Sequence, residues 1–195
     1  MAEEKEYKNI TKEEIQDLPL KYFEGDIFIV DTPEKIETSI SFLKSQPILG
    51  FDTETKPSFK KGKTNRNDVA LLQLTTVEKA FLFRINKTGL PDNITEILSD
   101  RNILKIGVAI KDDILKLQKL NIFIPGNFLD LRNYVKKFGI DNFGIKRLAA
   151  IVLGVRISKS QQLSNWENEE LTAAQQRYAA TDAWACHEIY RVLNT

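Results

Sequence analysis

The spacing of apolar positions changes period repeatedly along the chain, and each change predicts an element boundary. Gly25 to Val30 (GDIFIV) is a short β-rich run. Thr32 and Pro33 then supply an N-cap and a pre-set first helical residue ahead of Ile36, Ile40 and Leu43 at helical spacing. Pro47 to Asp52 (PILGFD) predicts a buried strand, and Val69 to Thr75 with Ala80 to Ile85 predict two more joined by a polar turn. Ile103 to Ile110 (ILKIGVAI) predicts a further strand that feeds a helix from about Lys111 to Leu120. Asp130 is placed to cap a helix through Phe138, and Gly144 to Leu153 predicts another. Thr172 and Gln175 form a capping box for a last helix reaching Leu193, and Thr11 with Glu14 open a short one that Pro19 ends. Strands cluster early and helices flank them, so the expected class is α/β, a mixed central sheet with helices on both faces. Neither an internal repeat nor a Gly/Ser/Pro-rich linker divides the chain. Residues 1–24 are expected to form an acidic tail and short helix, and residues 25–195 a single domain.

Composition narrows the picture. With 195 residues, 42% apolar and 28% charged, the chain can bury a full core, and disorder is excluded. No apolar run approaches the roughly 18 residues of a membrane span. The first 24 residues carry seven acids among four lysines, unlike a secretory or transit peptide, so an intracellular, cytoplasmic location is expected. The single cysteine, Cys186, leaves no intrachain disulfide, and no disulfide-linked partner is expected. With one histidine, His187, any metal must be held by carboxylates. A net charge of +1 gives no global attraction for a polyanion, so such a partner needs local clustering. Lys56 to Asn67 (KPSFKKGKTNRN) provides it, with Lys56, Lys60, Lys61, Lys63 and Arg66 and no acid. That segment is an exposed loop, either a solvated turn or a phosphate-contacting surface.

Three places carry candidate chemistry. Asp52 and Glu54 lie two apart at a strand end, so their carboxylates project to one side. At about 5 Å and an effective dielectric near 20 they repel by roughly 3 kcal/mol unless a cation or proton is shared. In Lys111-Asp112-Asp113, Asp112 shares a helical face with Lys116 and Lys119 and looks outward, whereas Asp113 shares one with Leu117 and Leu120. Asp113 therefore points coreward, either to stabilise the helix N-terminus or to serve a site above it. Tyr178 and Asp182 lie four apart on one helical face among alanines. An aspartate there needs a cation, or an ion pair with Arg147 or Arg177.

Phe51-Asp52-Thr53-Glu54-Thr55, then Gly107 to Asp113 with Leu117, then Tyr178-Ala179-Ala180-Thr181-Asp182, resemble in order and spacing the three exonuclease motifs of the DEDD 3′-5′ exonucleases. The likeness is strongest to the ribonuclease D and Werner syndrome exonuclease-like branch. Val69 to Leu74 and Leu163-Ser164-Asn165-Trp166 reinforce it. The resemblance implies a ribonuclease H-like fold and hydrolysis of phosphodiester bonds at nucleic-acid 3′ ends, DNA or RNA, with release of nucleoside monophosphates. It further implies two Mg²⁺ or Mn²⁺ ions held by Asp52, Glu54, Asp113 and Asp182. Tyr178, four residues before Asp182, implies the tyrosine subtype and a water-orienting hydroxyl. Lys60, Lys61, Lys63 and Arg66 would contact substrate, while Trp166 and His187 read as packing and ordinary helix residues. A nucleic-acid-binding module without catalysis is disfavoured by the intact set of acids. A haloacid dehalogenase-like phosphatase would need aspartate where the chain has Glu54.

Overall fold

The computed structural model describes residues 7–57, 68–141 and 143–195. Local signals placed most elements. The Thr11 side chain accepts from the Glu14 N–H and the Glu14 carboxylate returns the bond, opening α1 (Lys12–Asp17). After β1 (Asp26–Val30), the Thr32 hydroxyl accepts from the Lys35 N–H to start α2 (Pro33–Leu43). Strands β2 (Ile48–Thr55), β3 (Val69–Thr75) and β4 (Lys79–Phe83) form an antiparallel meander.

Two predicted strands stop early, each for a tertiary reason. The third meander strand ends at Phe83 because buried Arg84 turns its guanidinium onto the carbonyls of Asn168 and Glu169, and Ile85 already begins α3 (Ile85–Thr88). The next strand, β5 (Leu104–Gly107), follows α4 (Asp92–Ser99) and is four residues long. Beyond it Ala109 takes a positive φ of 59° so that the chain folds back over Gly107, where a Cβ would lie 2.4 Å from Ile110 Cγ2. The Asp130 carboxylate fastens this turn, accepting from the N–H of Ala109 at 3.0 Å and of Arg132 at 2.9 Å. Helix α5 (Lys111–Leu120) then leads to edge strand β6 (Phe128–Asp130). The helix expected after Asp130 is α6 (Leu131–Tyr134) followed by a 3-10 turn to Phe138. Helices α7 (Ile145–Leu153) and α8 (Ala173–Leu193) complete the chain. Helices α3 and α4 and strand β6 went unanticipated: α3 and β6 are too short to show a period, and α4 opens without a side-chain cap.

The sheet order is β1-β4-β3-β2-β5-β6, with β1, β5 and β6 each parallel to their neighbours. Alternation along β2 divides its side chains. Leu49 and Phe51 join Ile36, Ile40, Ile94, Ile97 and Leu117 in a core beneath α2, α4 and α5. On the opposite face lie α7 and α8, packed on Ile106, Leu71, Leu82 and Ala80. The segment ahead of β1 lies against this second layer: Tyr7 meets Phe138 edge-on at 6.3 Å, and the Phe23 N–H donates to Thr181 Oγ1 at 3.0 Å. Among the described residues no helix is long and apolar enough to cross a membrane.

Helix α8 reaches the sheet because the contact carries almost no side chain. Ala179, Ala180 and Ala183 are fully buried, and a Cβ at Gly50 would sit 2.0 Å from the Ala183 carbonyl oxygen and 2.4 Å from Thr75 Oγ1. Since Gly50 lies in the middle of β2, no rotamer change relieves that overlap. Gly50→Ala is therefore expected to lower stability by about 1–3 kcal/mol or more, read as a reduced midpoint in urea. An unchanged midpoint would show that α8 is not seated on the β2 backbone.

Candidate active site

Asp52 and Glu54 emerge on the α8 side of β2, as alternation predicts, and meet Asp182 from α8. Ligand oxygens of these three carboxylates all lie within 4.8 Å of one another. Asp182 is 6% exposed, and its Oδ1 is buried without a hydrogen-bond partner. Neither arginine considered from sequence reaches it. The Arg147 guanidinium donates to the Ile10 carbonyl, and that of Arg177 stacks 5.5 Å from the Tyr22 ring.

Asp113 is not part of this three-oxygen cluster. Helix α5 packs on the other face of the sheet, so Asp113 arrives from below and its Oδ1 accepts from Thr53 Oγ1 at 2.6 Å. It nevertheless stands near enough to Asp52 to repel it. Asp112 is exposed on α5, in agreement with its helical phase.

Burial is the first cause of the shifts at all four acids. It pushes Asp52 well above the usual carboxylate range, with Asp182 and Asp113 adding repulsion. Glu54 is pushed up to about 10 by burial and then by Asp52, Asp182 and Asp113. Asp113 is raised by burial, against the lowering effect of the Thr53 hydrogen bond and of Lys116. Asp182 rises only to about 6, because Lys146 and a hydrogen bond from Tyr178 oppose burial.

Tyr178 is 5% exposed, one turn before Asp182, and packs at 5.9 Å against the wholly buried Trp166. Burial and the neighbouring acids raise its phenol, so the hydroxyl stays protonated and donates. Lys146 is a site residue that the sequence alone could not place. It sits on α7 with Nζ 5.2 Å from the Tyr178 ring centroid, and its charge acts on Asp182, Glu54 and Asp52. Its sequence neighbourhood carries no signal for this, since only the docking of α7 on α8 brings it there. Of the basic segment, Lys60, Lys61, Lys63 and Arg66 lie outside the described residues, and Lys56 Nζ pairs with Glu167 at 2.9 Å. His187 lies beside Glu188, 3.4 Å from its carboxylate.

Three buried or half-buried acids, one with an orphaned oxygen, form a donor set suited to hard divalent cations. Comparison with known proteins agrees in fold and family. The family model described as 3′-5′ exonuclease matches residues 27–195. The chain is 36% identical over 160 residues to the mouse (Mus musculus) bifunctional 3′-5′ exonuclease/ATP-dependent helicase WRN, covering 77% of this chain and 11% of that protein. It is 31% identical over 175 residues to a 3′-5′ exonuclease of Arabidopsis thaliana, covering 86% and 57% respectively. The chain thus spans less than two thirds of either relative. Among solved structures, the Aedes aegypti Nibbler EXO domain superposes with a TM-score of 0.78 at 26% identity, over 89% of this chain and 91% of that one. Escherichia coli RNase D shares the fold with a TM-score of 0.77 at 22% identity, over 87% and 44%. With the match running through nearly all of the sheet and α8, this chain belongs to the 3′-5′ exonuclease family.

Proposed function

We propose that this domain removes nucleotides from the 3′ end of nucleic acid by metal-dependent hydrolysis, releasing nucleoside monophosphates. The observation that carries the reading is the convergence of Asp52, Glu54 and Asp182 within 4.8 Å, with Asp182 Oδ1 buried and unpartnered. Such a cluster repels a phosphodiester unless cations reverse its sign. Asp52, Glu54, Asp113 and Asp182 would together hold two Mg²⁺ or Mn²⁺ ions. Bound there, the ions supply a water of lowered pKa and neutralise charge developing at the phosphate and the departing 3′ oxygen.

The chain's own groups do the rest. The protonated Tyr178 hydroxyl would orient the attacking water from the Asp182 side, as the tyrosine subtype implies, while its ring packs against Trp166 and lies under Lys146 Nζ. Thr53 holds the Asp113 carboxylate at the strand end. Lys60, Lys61, Lys63 and Arg66 follow β2 closely in sequence and would contact substrate phosphates.

The raised carboxyl groups make stability depend on pH and metal. A carboxyl whose folded pKa lies above its unfolded value favours the folded state at low pH, and that contribution is lost as pH rises through the folded value. For Asp182 the loss runs from about pH 4 through 6, and for Glu54 up to about 10. Glu188, lowered to about 2, has the opposite sign: its stabilising contribution is present from neutral pH down to the unfolded carboxylate range and is lost as pH falls toward 2.

Three measurements follow from this reading. In EDTA, the thermal midpoint should fall between pH 5 and 8 relative to that of Asp182→Asn, and Mg²⁺ or Mn²⁺ should restore it most at pH 8. A parallel pH course in the two proteins would remove the repulsive cluster as its cause. On a 5′-labelled strand with metal, Asp52→Asn, Asp182→Asn and Asp113→Asn should lose nearly all hydrolysis while Asp112→Asn stays near normal; the reverse order for the adjacent pair would invalidate the assignment of Asp113. Tyr178→Phe should lower kcat by roughly 10²-fold or more with little change in KM. A purely raised KM would instead make the hydroxyl a substrate-binding group.

A further inference from the structure

A groove of about 410 Å³ opens between α1 and α7, and Lys12, Gln16, Lys146, Arg147, Arg156 and Lys159 line it. Every charged residue on its wall is a cation, in a chain whose net charge is only +1. Two of these cations build the wall. Arg147 donates through Nε and Nη2 to the Ile10 carbonyl at 3.1 and 2.8 Å, and Arg156 through Nε to the Leu18 carbonyl at 3.0 Å. A backbone bridge between Leu20 and Arg156 closes the same seam. The acceptors in these contacts are neutral carbonyls, so the guanidinium charge is retained on the groove.

Lys12 and Lys159 are exposed, whereas Lys146 is half-buried. Lys146 lines the groove and also stands beside the acidic site: its Nζ is 5.2 Å from the Tyr178 ring, and it interacts electrostatically with both Asp182 and Lys159. A cationic channel running into an anionic, metal-suited cluster has the charge order of a strand whose last phosphodiester sits on bound cations and whose preceding phosphates need positive side chains. We propose that this groove holds the phosphate backbone of the substrate strand next to its 3′ end, with Lys146 at the junction. The proposal rests on the exonuclease reading of the acidic site. It adds to it a surface built partly from α1, which precedes the residues 27–195 matched by the family model.

The test is binding in EDTA, where no cleavage competes, of a short 5′-fluorescent single strand of DNA or of RNA to the full chain across a salt series. Lys12→Glu/Lys159→Glu should weaken binding roughly tenfold and flatten log K against log salt by about 0.7 for each lost phosphate contact. Arg101→Glu/Lys119→Glu makes the same change in net charge in exposed residues just before β5 and at the far end of α5, away from Asp113. It should leave the slope unchanged. DNA and RNA responding alike would place the contacts on phosphate, and a response confined to RNA would add the 2′-hydroxyl. Degradation of the same strand by the unaltered chain with Mn²⁺ tests the exonuclease reading separately. An unaltered slope in the groove pair, or an equal loss in the control pair, would overturn the groove as a strand-binding surface.

Discussion

Backbone packed on backbone is the contact from which the rest of this structure follows. Gly50 leaves no Cβ between β2 and α8, and the Ala183 carbonyl occupies the space that a methyl group would take. Asp182 precedes Ala183 by one residue, and Asp52 follows Gly50 by two, so the same close approach that packs the second layer also brings the acids together. Alanines at 179, 180 and 183 keep the helix low over its length. Close packing of this kind also limits access of water to Asp182 and Tyr178, and that desolvation is the largest cause of their displaced protonation.

Within the cluster the acids are not equivalent. Asp182 is more buried than Glu54 by accessible surface, yet it is raised only to about 6 and Glu54 to about 10. The difference comes from neighbours rather than depth. Lys146 acts on both, but Asp182 also has the Tyr178 hydroxyl beside it, while Glu54 faces three other carboxylates. The folded chain thus keeps one acid readily ionised and another holding its proton. A site of this composition opposes folding once its carboxyls ionise.

The surroundings are braced by contacts distant in sequence. Arg84 at the end of β4 ties down the Asn168 and Glu169 carbonyls just ahead of α8, and Trp166 fills the space between Leu71, Leu82 and Tyr178. Arg147 and Arg156 pull the segment before β1 onto the α7 side. Charge is consequently sorted by tertiary structure: acids collect at the strand end, and cations collect along the seam with α1, although the whole chain is almost neutral.

Much of this was legible from sequence, because it depends on geometry within single elements. Caps at Thr11, Thr32 and Thr172 set helix starts, since a side-chain oxygen and the N–H it satisfies are three residues apart. Period-2 alternation put Asp52 and Glu54 on one face, and one helical turn put Tyr178 above Asp182. Phase also sent Asp113 inward and Asp112 outward. What sequence left undecided were relations between elements. Asp113 approaches from the opposite face and meets Thr53 first, because α5 packs below the sheet while α8 packs above it. The strand through Ile103 to Ile110 stops at Gly107 because Asp130, on a neighbouring strand, holds the Ala109 turn. Lys146 belongs to the site only because α7 docks on α8. Local spacing determines the direction in which a side chain leaves its own element, whereas the distance to a partner on another element is set by packing of the whole core.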